Sequence, residues 1–266
     1  MPRRFLAAVA LCLSVLSLSA ADGWLTDLDE GMKVAKAEKK AILVDFTGSD
    51  WCGWCIRLKK EVFDQKEFVA VTKDFVLVEL DYPQKKKQSA EEKAKNKALA
   101  EKFAIEGFPT ILLLDANGVP FAQTGYQEGG PVKYLAHLAE LSKANTAEGK
   151  AKFAQTKKDE GLVRGYGEEL EKLITPHLEK KDLAAAEAAI AKFIGEKKGL
   201  GDNAKYTLLL NARVGSVQAC KPGDHAAILK VLDELIETAK DWDGIPAFKQ
   251  FRAQVAAAQA ADKAKK

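Results

Sequence analysis

The pentapeptide Trp51-Cys52-Gly53-Trp54-Cys55 constrains this chain more than any other stretch, because it joins an apolar strand-like run, Ala41 to Phe46, to a helical pattern reaching Phe63. Two cysteines separated by two residues at a helix start place their sulfurs one turn apart, close enough for a disulfide with little backbone movement. A helix N-terminus also presents unpaired N–H groups and a partial positive charge, so a thiolate at Cys52 is stabilised and its pKa falls below the free value of about 8.5. Arg57, Lys59 and Lys60 add positive charge within two turns. The pattern predicts two-step exchange: Cys52 attacks a substrate disulfide, and Cys55, deeper in the helix, attacks Cys52 to release the reduced substrate. The reverse direction oxidises the substrate.

Strand signals are confined to the first half of the chain. Ala41 to Phe46, Phe75 to Asp81, Thr110 to Asp115 and Val119 to Thr124 make four strands, the last two joined across Asn117-Gly118, a strong hairpin dipeptide. Helical patterns alternate with them: Asp27 to Lys39, Cys52 to Phe63, a short turn at Glu67 to Thr72, and Ser89 to about Ala104, opened by the capping box of Ser89 and Glu92. A further helix runs from Pro131 to about Ala144. The order predicts a parallel βαβ unit, a crossover helix, an antiparallel hairpin and a closing helix.

Beyond Ala144 the strand signal disappears. Asn145 to Asp159, polar and lysine-rich, reads as a linker or an exposed helix, and three apolar stripes follow at helical spacing: Leu183 to Ile194, Tyr206 to Val217 and Ile228 to Ile236. Asp182-Leu183-Ala184-Ala185 and Asp224-His225-Ala226-Ala227 begin two helices alike, at about the spacing of tetratricopeptide-like hairpins, although the Trp, Gly and Tyr consensus is missing. Packed helical hairpins are the expectation.

At the other end, Arg3 and Arg4 precede an apolar run from Phe5 to Leu18 and the small residues Ser19, Ala20 and Ala21, the order of a secretory signal peptide. The run is shorter than the roughly 20 apolar residues that cross a bilayer. A mature chain starting at Asp22 is expected, by the ordinary secretory route, in the periplasm or outside the cell. Leu11 is bulky where a lipidation signal at Cys12 would have a small residue. The expected organisation is thus a signal peptide over 1–21, an α/β domain over 22–145 and a helical domain over 146–266.

Loss of Arg3 and Arg4 reduces 41 Lys plus Arg to 39, against 38 Asp plus Glu, a net charge of +1. That near-balance, mixed along the chain, gives no reason to expect a nucleic-acid partner. Lys85, Lys86 and Lys87 form a local basic cluster, expected as a solvated loop. Three cysteines remain after position 21, Cys52, Cys55 and Cys220, too few and too odd a number for a framework of structural disulfides.

Four stations along the chain, Val44-Asp45-Phe46, Trp51-Cys52-Gly53-Trp54-Cys55, Gly107-Phe108-Pro109-Thr110 and Asp115-Ala116-Asn117-Gly118, resemble the thioredoxin family in the family's own order, covering about Trp24 to Ala144. Thr47-Gly48-Ser49-Asp50 and the Lys-rich insertion before Ser89 resemble its exported bacterial members. The resemblance implies a mixed central sheet flanked by helices, no cofactor beyond a redox-active Cys52–Cys55 disulfide, and no metal. It also implies protein disulfide or dithiol substrates and a membrane or periplasmic electron donor. Pro109 is then the cis-proline facing the pair, with the Phe108 backbone exposed to an extended substrate segment. Substrate contacts fall on Trp51, Gly53, Trp54, Phe108 and Pro109. Asp45 matches the family's buried acid, whose raised pKa suits it to take the Cys55 proton through a water.

Departures from the family pattern bear on these roles. One extra residue separates Asp45 from Trp51, Trp54 stands where Pro is common, and Phe108 replaces the usual Ile or Thr. Trp54 either shields Cys55, forms an apolar shelf for substrate or simply packs, and Trp51 is either a substrate-facing plate or a packed flank. Two rival readings exist: a zinc module using Cys52, Cys55, Cys220 and His225, and an adaptor in which the helical domain holds a protein partner. His137, His177 and His225 show no hydrolase-like arrangement with Cys52.

Overall fold

A computed structural model describes residues 23–69 and 73–264. The expected signal peptide, with Arg3, Arg4 and Cys12, lies outside the described residues. The chain divides between Ala151 and Lys152 into two compact units.

The first unit is a five-stranded mixed sheet in the order β1-β3-β2-β4-β5. Its strands are β1 (Trp24–Leu25), β2 (Ala41–Thr47), β3 (Phe75–Asp81), β4 (Thr110–Leu114) and β5 (Pro120–Thr124). β1 and β2 run parallel to β3, while β4 runs antiparallel to both β2 and β5. The four expected strands are present, and β1 makes a fifth. Two residues are too short to carry a two-residue period, so only pairing with Leu77 and Val78 defines β1.

β2, β3 and β4 read as nearly unbroken apolar runs because helices cover both faces of the sheet. On one face Leu43, Leu77, Ile111 and Leu113 join Leu58, Phe63, Phe68, Tyr134 and Leu138 in a single cluster. These partners come from α2 (Gly53–Leu58), a π-helical turn at Lys59–Phe63, α3 (Lys66–Val69) and α5 (Gly130–Ser142). On the other face lies α1 (Leu28–Glu38), capped by Asp27, whose side chain accepts from the Asp29 and Glu30 N–H groups. Gly31 permits its approach: a β-carbon there would meet Val78 Cγ2 at 2.6 Å. α4 (Ala90–Lys102) opens at Ser89, whose Oγ accepts the Glu92 N–H as expected, and ends at Phe103, edge-on to Phe46.

The second unit is helical, built by α6 (Ala147–Glu179), α7 (Leu183–Glu196), α8 (Asp202–Cys220), α9 (His225–Thr238) and α10 (Ile245–Ala264). The stretch expected as linker or exposed helix is helix from Ala147 onward. The two similar helix starts are caps: Asp182 accepts the Ala185 N–H at 3.0 Å and Asp224 the Ala227 N–H at 2.9 Å. Leu170, Ile174, Ile190 and Phe193 pack α6 on α7, and Val217, Val231, Leu232, Leu235 and Phe248 join α8, α9 and α10. Among the described residues no helix is long and apolar enough to cross a membrane.

Candidate functional site

The loop between β2 and α2 is held before the cysteines begin. Gly48 O accepts the N–H groups of Trp51 at 3.2 Å and Cys52 at 2.9 Å. Gly48 has no room for a side chain, since a β-carbon would lie 2.6 Å from the Trp51 ring. Ser49 binds the Asp81 carboxylate through both N–H (2.9 Å) and Oγ (2.6 Å). The Asp50 carboxylate accepts the N–H groups of Gln84, Lys85 and Lys86 at 2.8 to 2.9 Å, which hold its carboxyl below the ordinary range. Lys85, Lys86 and Lys87 are exposed, yet the backbone of Lys85 and Lys86 is fastened to the segment that leads into the cysteines.

Cys52 is the N-cap of α2, with extended φ and ψ, and its Sγ accepts the Cys55 N–H at 3.2 Å. The two cysteines form a disulfide with their Cα atoms 5.2 Å apart, and they are 6% and 3% exposed. Gly53 is exposed, with open space where a β-carbon would stand.

Aromatic residues flank the disulfide. Trp51, 39% exposed, donates from Nε1 to Tyr82 O at 2.8 Å and meets Phe108 edge-on at 5.8 Å. It is therefore a packed flank that keeps one exposed side. Phe108 also lies 5.0 Å from the Tyr82 ring. The Phe108-Pro109 bond is cis, as the resemblance implies, and Thr110 Oγ1 donates to Gly107 O at 2.8 Å to close this turn.

On the other flank Trp54 is 54% exposed and tilts against Tyr126 at 5.1 Å. The Arg57 guanidinium lies 5.5 Å from the Trp54 ring and 5.1 Å from the Tyr126 ring. Glu61 joins the cluster, accepting Arg57 Nε at 2.8 Å and the Tyr126 hydroxyl at 2.6 Å. The Tyr126 hydrogen bond, with Arg57 behind it, holds the Glu61 carboxyl down and pushes the Tyr126 phenol up. Sequence reasoning missed Tyr126 and Glu61. The four-residue spacing of Arg57 and Glu61 was a usable helix signal; Tyr126 follows β5 and arrives by tertiary folding alone.

Behind the disulfide, Asp45 is 4% exposed and its Oδ1 has no hydrogen-bond partner. Burial raises its carboxyl well above the ordinary value, and the charges of Glu79 and Asp81 add to this while Lys59 opposes it. A cavity of ≈ 160 Å³ lies beside Cys55, walled by Thr47, Ser49, Ile56, Lys59, Lys60, Asp64 and Glu79. Lys59 Nζ stands 4.0 Å from Glu79 Oε2 and 3.6 Å from Asp64 Oδ1.

Two histidines have other partners: His137 Nε2 pairs with Thr124 Oγ1 at 2.9 Å and His225 Nδ1 faces Asp262 at 3.4 Å. His177 lies in the last turn of α6. Cys220 is a free, half-buried thiol at the end of α8. Among the described residues no group of three or more His, Cys, Asp or Glu could hold a metal ion.

A mixed sheet, a disulfide capping the helix that follows its central strand, and a cis-proline turn beside that disulfide define a thioredoxin-like domain. Residues 28–141 belong to that family, matching its thioredoxin-like domain model. The chain is 35% identical over 114 residues to the disulfide bond reductase DsbH of Chlamydia pneumoniae, a match covering 41% of this chain and 66% of that protein. It is 35% identical over 119 residues to the thioredoxin-related protein DsbJ of the same organism, covering 42% and 34%. Against the thiol:disulfide interchange protein DsbD of Vibrio vulnificus strain CMCP6 it is 30% identical over 119 residues, covering 44% and 18%. The chain thus spans just under two thirds of DsbH and much smaller shares of DsbJ and DsbD. A solved structure titled DsbH oxidoreductase aligns with a TM-score of 0.44 at 30% identity, covering 51% of this chain and 95% of that one. The domain is homologous to these Dsb proteins.

Proposed function

We propose that this chain is an exported thiol-disulfide oxidoreductase that reduces protein disulfides with Cys52 and Cys55. The observation that carries the reading is the disulfide at the start of α2, where Cys52 Sγ already accepts a backbone N–H. That hydrogen bond and the helix N-terminus stabilise a thiolate at Cys52 once the pair is reduced. Cys52 attacks a substrate sulfur, the substrate S–S bond breaks, and one substrate thiolate leaves. Cys55 then loses its proton and attacks Cys52 Sγ, releasing the second thiolate and restoring the disulfide. Two electrons pass to the substrate, and a dithiol donor of the membrane or periplasm returns them.

Substrate lies across the exposed Gly53, between the Trp51 and Phe108-Pro109 flank and the Trp54 flank, with the Phe108 backbone offered to an extended segment. Asp45 supplies a buried acid whose proton is coupled to the chemistry at Cys55. The disulfide needs no further cofactor. The signal-like residues 1–21 direct the chain to the periplasm or beyond, residues 22–145 form the redox domain, and residues 146–266 form a helical-hairpin domain of tetratricopeptide kind that holds a protein partner. A groove of ≈ 370 Å³ between α6 and α8, lined by Leu170, Ile174, Leu208 and the unpartnered Ser216 hydroxyl, supports that last role.

Reduction of insulin disulfides by the dithiol-fed protein tests the reading. Wild type is expected to turn over and Cys52→Ser is not; equal rates make the chain an adaptor. A reduction potential near that of thioredoxin, about −270 mV, marks a reductase, whereas one near −120 mV marks an oxidant.

A further inference from the structure

Resolution of the mixed disulfide requires a proton to leave Cys55, a residue only 3% exposed. Asp45 is poorly placed to receive it alone. It is buried with an unpartnered Oδ1, and it is not among the residues that wall the cavity beside Cys55. Its neighbour differs. β2 and β3 pair in parallel with Asp45 opposite Glu79, and one step earlier on the same face Leu43 opposite Leu77 packs under Leu58 of α2. Glu79 therefore shares Asp45's face of the sheet, below the helix that carries Cys55. Its side chain is 28% exposed, Lys59 Nζ lies 4.0 Å away, and it walls the cavity that Cys55 also walls. Asp45 does not line that cavity. A space of ≈ 160 Å³ edged by the polar groups of Thr47, Ser49, Lys60 and Asp64 is roomy enough for water.

We propose that Glu79 is the proton acceptor for Cys55 during resolution, receiving the proton through the cavity and returning it to solvent, with Lys59 Nζ 4.0 Å from its carboxylate. The inference deepens the reductase reading and rests on it. In the step, the Cys55 S–H bond breaks and its proton passes by way of water to Glu79. The Cys55 thiolate then forms the bond to Cys52 Sγ, and the Cys52–substrate S–S bond breaks with its electron pair leaving on the substrate sulfur. Two adjacent carboxylates share protons unequally. Asp45 is buried, whereas Glu79 is 28% exposed and reaches the cavity, so Glu79 is the partner in contact with water. Charged groups near Glu79 include Lys59, Lys60 and Asp64, which wall the same cavity, Asp45 opposite it on β2, and Asp81 on its own strand.

The test separates the two chemical steps. Reduced full-length protein is mixed with a symmetrical aromatic disulfide whose thiolate is coloured: the first release reports attack by Cys52, the second resolution by Cys55. In Glu79→Gln the first release is expected at the wild-type rate, while the second slows about tenfold or more and loses the wild-type pH dependence. Glu79→Asp partly restores both. An unchanged second release overturns the proposal, as does equal slowing of both releases, the mark of a merely structural residue. If Glu79→Gln fails to fold, Glu79→Ala at this half-buried site is judged by the same two outcomes. Absence of any release from wild type defeats the reductase reading itself, and this proposal with it.

Discussion

The two units of this chain bury polar groups in different ways. In the α/β unit Asp45, Thr47, Asn96, Thr110 and Asp115 are all buried, and several bear on the disulfide. Asp45 and Thr47 stand on the strand that leads to it, Thr110 follows the cis-proline, and Asn96 donates to Asp81 O, next to the carboxylate that holds Ser49. In the helical unit the buried polar residues are Asp159 and Ser216, among clusters that are otherwise apolar. Buried polar groups destabilise a fold unless paired, so their concentration around Cys52 and Cys55 marks the unit whose packing is compromised for chemistry. The helical unit follows the simpler rule of apolar stripes facing one another.

The largest way to break this contrast is at the sulfurs. Cys52→Ser should lower insulin reduction by at least about a thousandfold, as loss of a nucleophile does, without moving the thermal unfolding of the helical unit. A shift there, measured by calorimetry, would mean that the chemistry is not confined to the α/β unit. Next in size are core truncations. Leu232→Ala, at a fully buried position in α9, should destabilise the helical unit by about 2–5 kcal/mol and leave the reduction rate unchanged. Leu43→Ala, equally buried beneath α2, should destabilise the α/β unit by a similar amount and slow reduction as well. Equal effects of the two on activity would show that the helical unit supports the site.

Asp45 sharpens the contrast through pH. Unfolded, its carboxyl ionises near the ordinary value of 3.8, whereas the folded chain holds the proton well above that, because burial disfavours the charge. Between those limits the folded state binds more protons than the unfolded one, so stability declines as pH rises through the window. Asp45→Asn removes the term. Its melting temperature should match wild type near pH 3.5 and exceed it increasingly toward pH 8, whereas a constant gap would mean that Asp45 is ionised in the fold.

Much of this was legible in the sequence where burial on two faces leaves a plain pattern. Phe75 to Asp81 is a strand with the expected bounds, and Asp45 was reached through the resemblance to the thioredoxin family. The Cys52-x-x-Cys55 spacing, the Ser89 cap and the Asn117-Gly118 turn were legible because each is local chemistry. Non-local features left no mark. Glu79 was not singled out within the expected strand Phe75 to Asp81, and only the β2–β3 register sets it opposite Asp45. α10 lacks a marked apolar stripe, its buried residues being Ile245, Phe248 and Val255 among many alanines, so periodicity did not find it. The hold of Asp50 on the Lys-rich loop joins positions 34 to 36 residues apart, beyond any window of sequence reading.

The smallest expected effect lies on the Trp54 flank and tests whether it shapes substrate choice or only packs. Tyr126→Phe keeps the ring against Trp54 and Arg57 but removes the hydroxyl that holds Glu61 at 2.6 Å. Glu61 keeps Arg57 as its partner at 2.8 Å, so the shelf should loosen without collapsing. Because exposed charge-assisted contacts contribute little on their own, KM for a protein disulfide should rise about two- to threefold with kcat unchanged. This is the signature of lost ground-state binding. A fall in kcat instead would mean that the cluster acts on Cys55 rather than on the substrate, and the polar organisation of the α/β unit would then reach from the buried face of the disulfide around to its exposed rim.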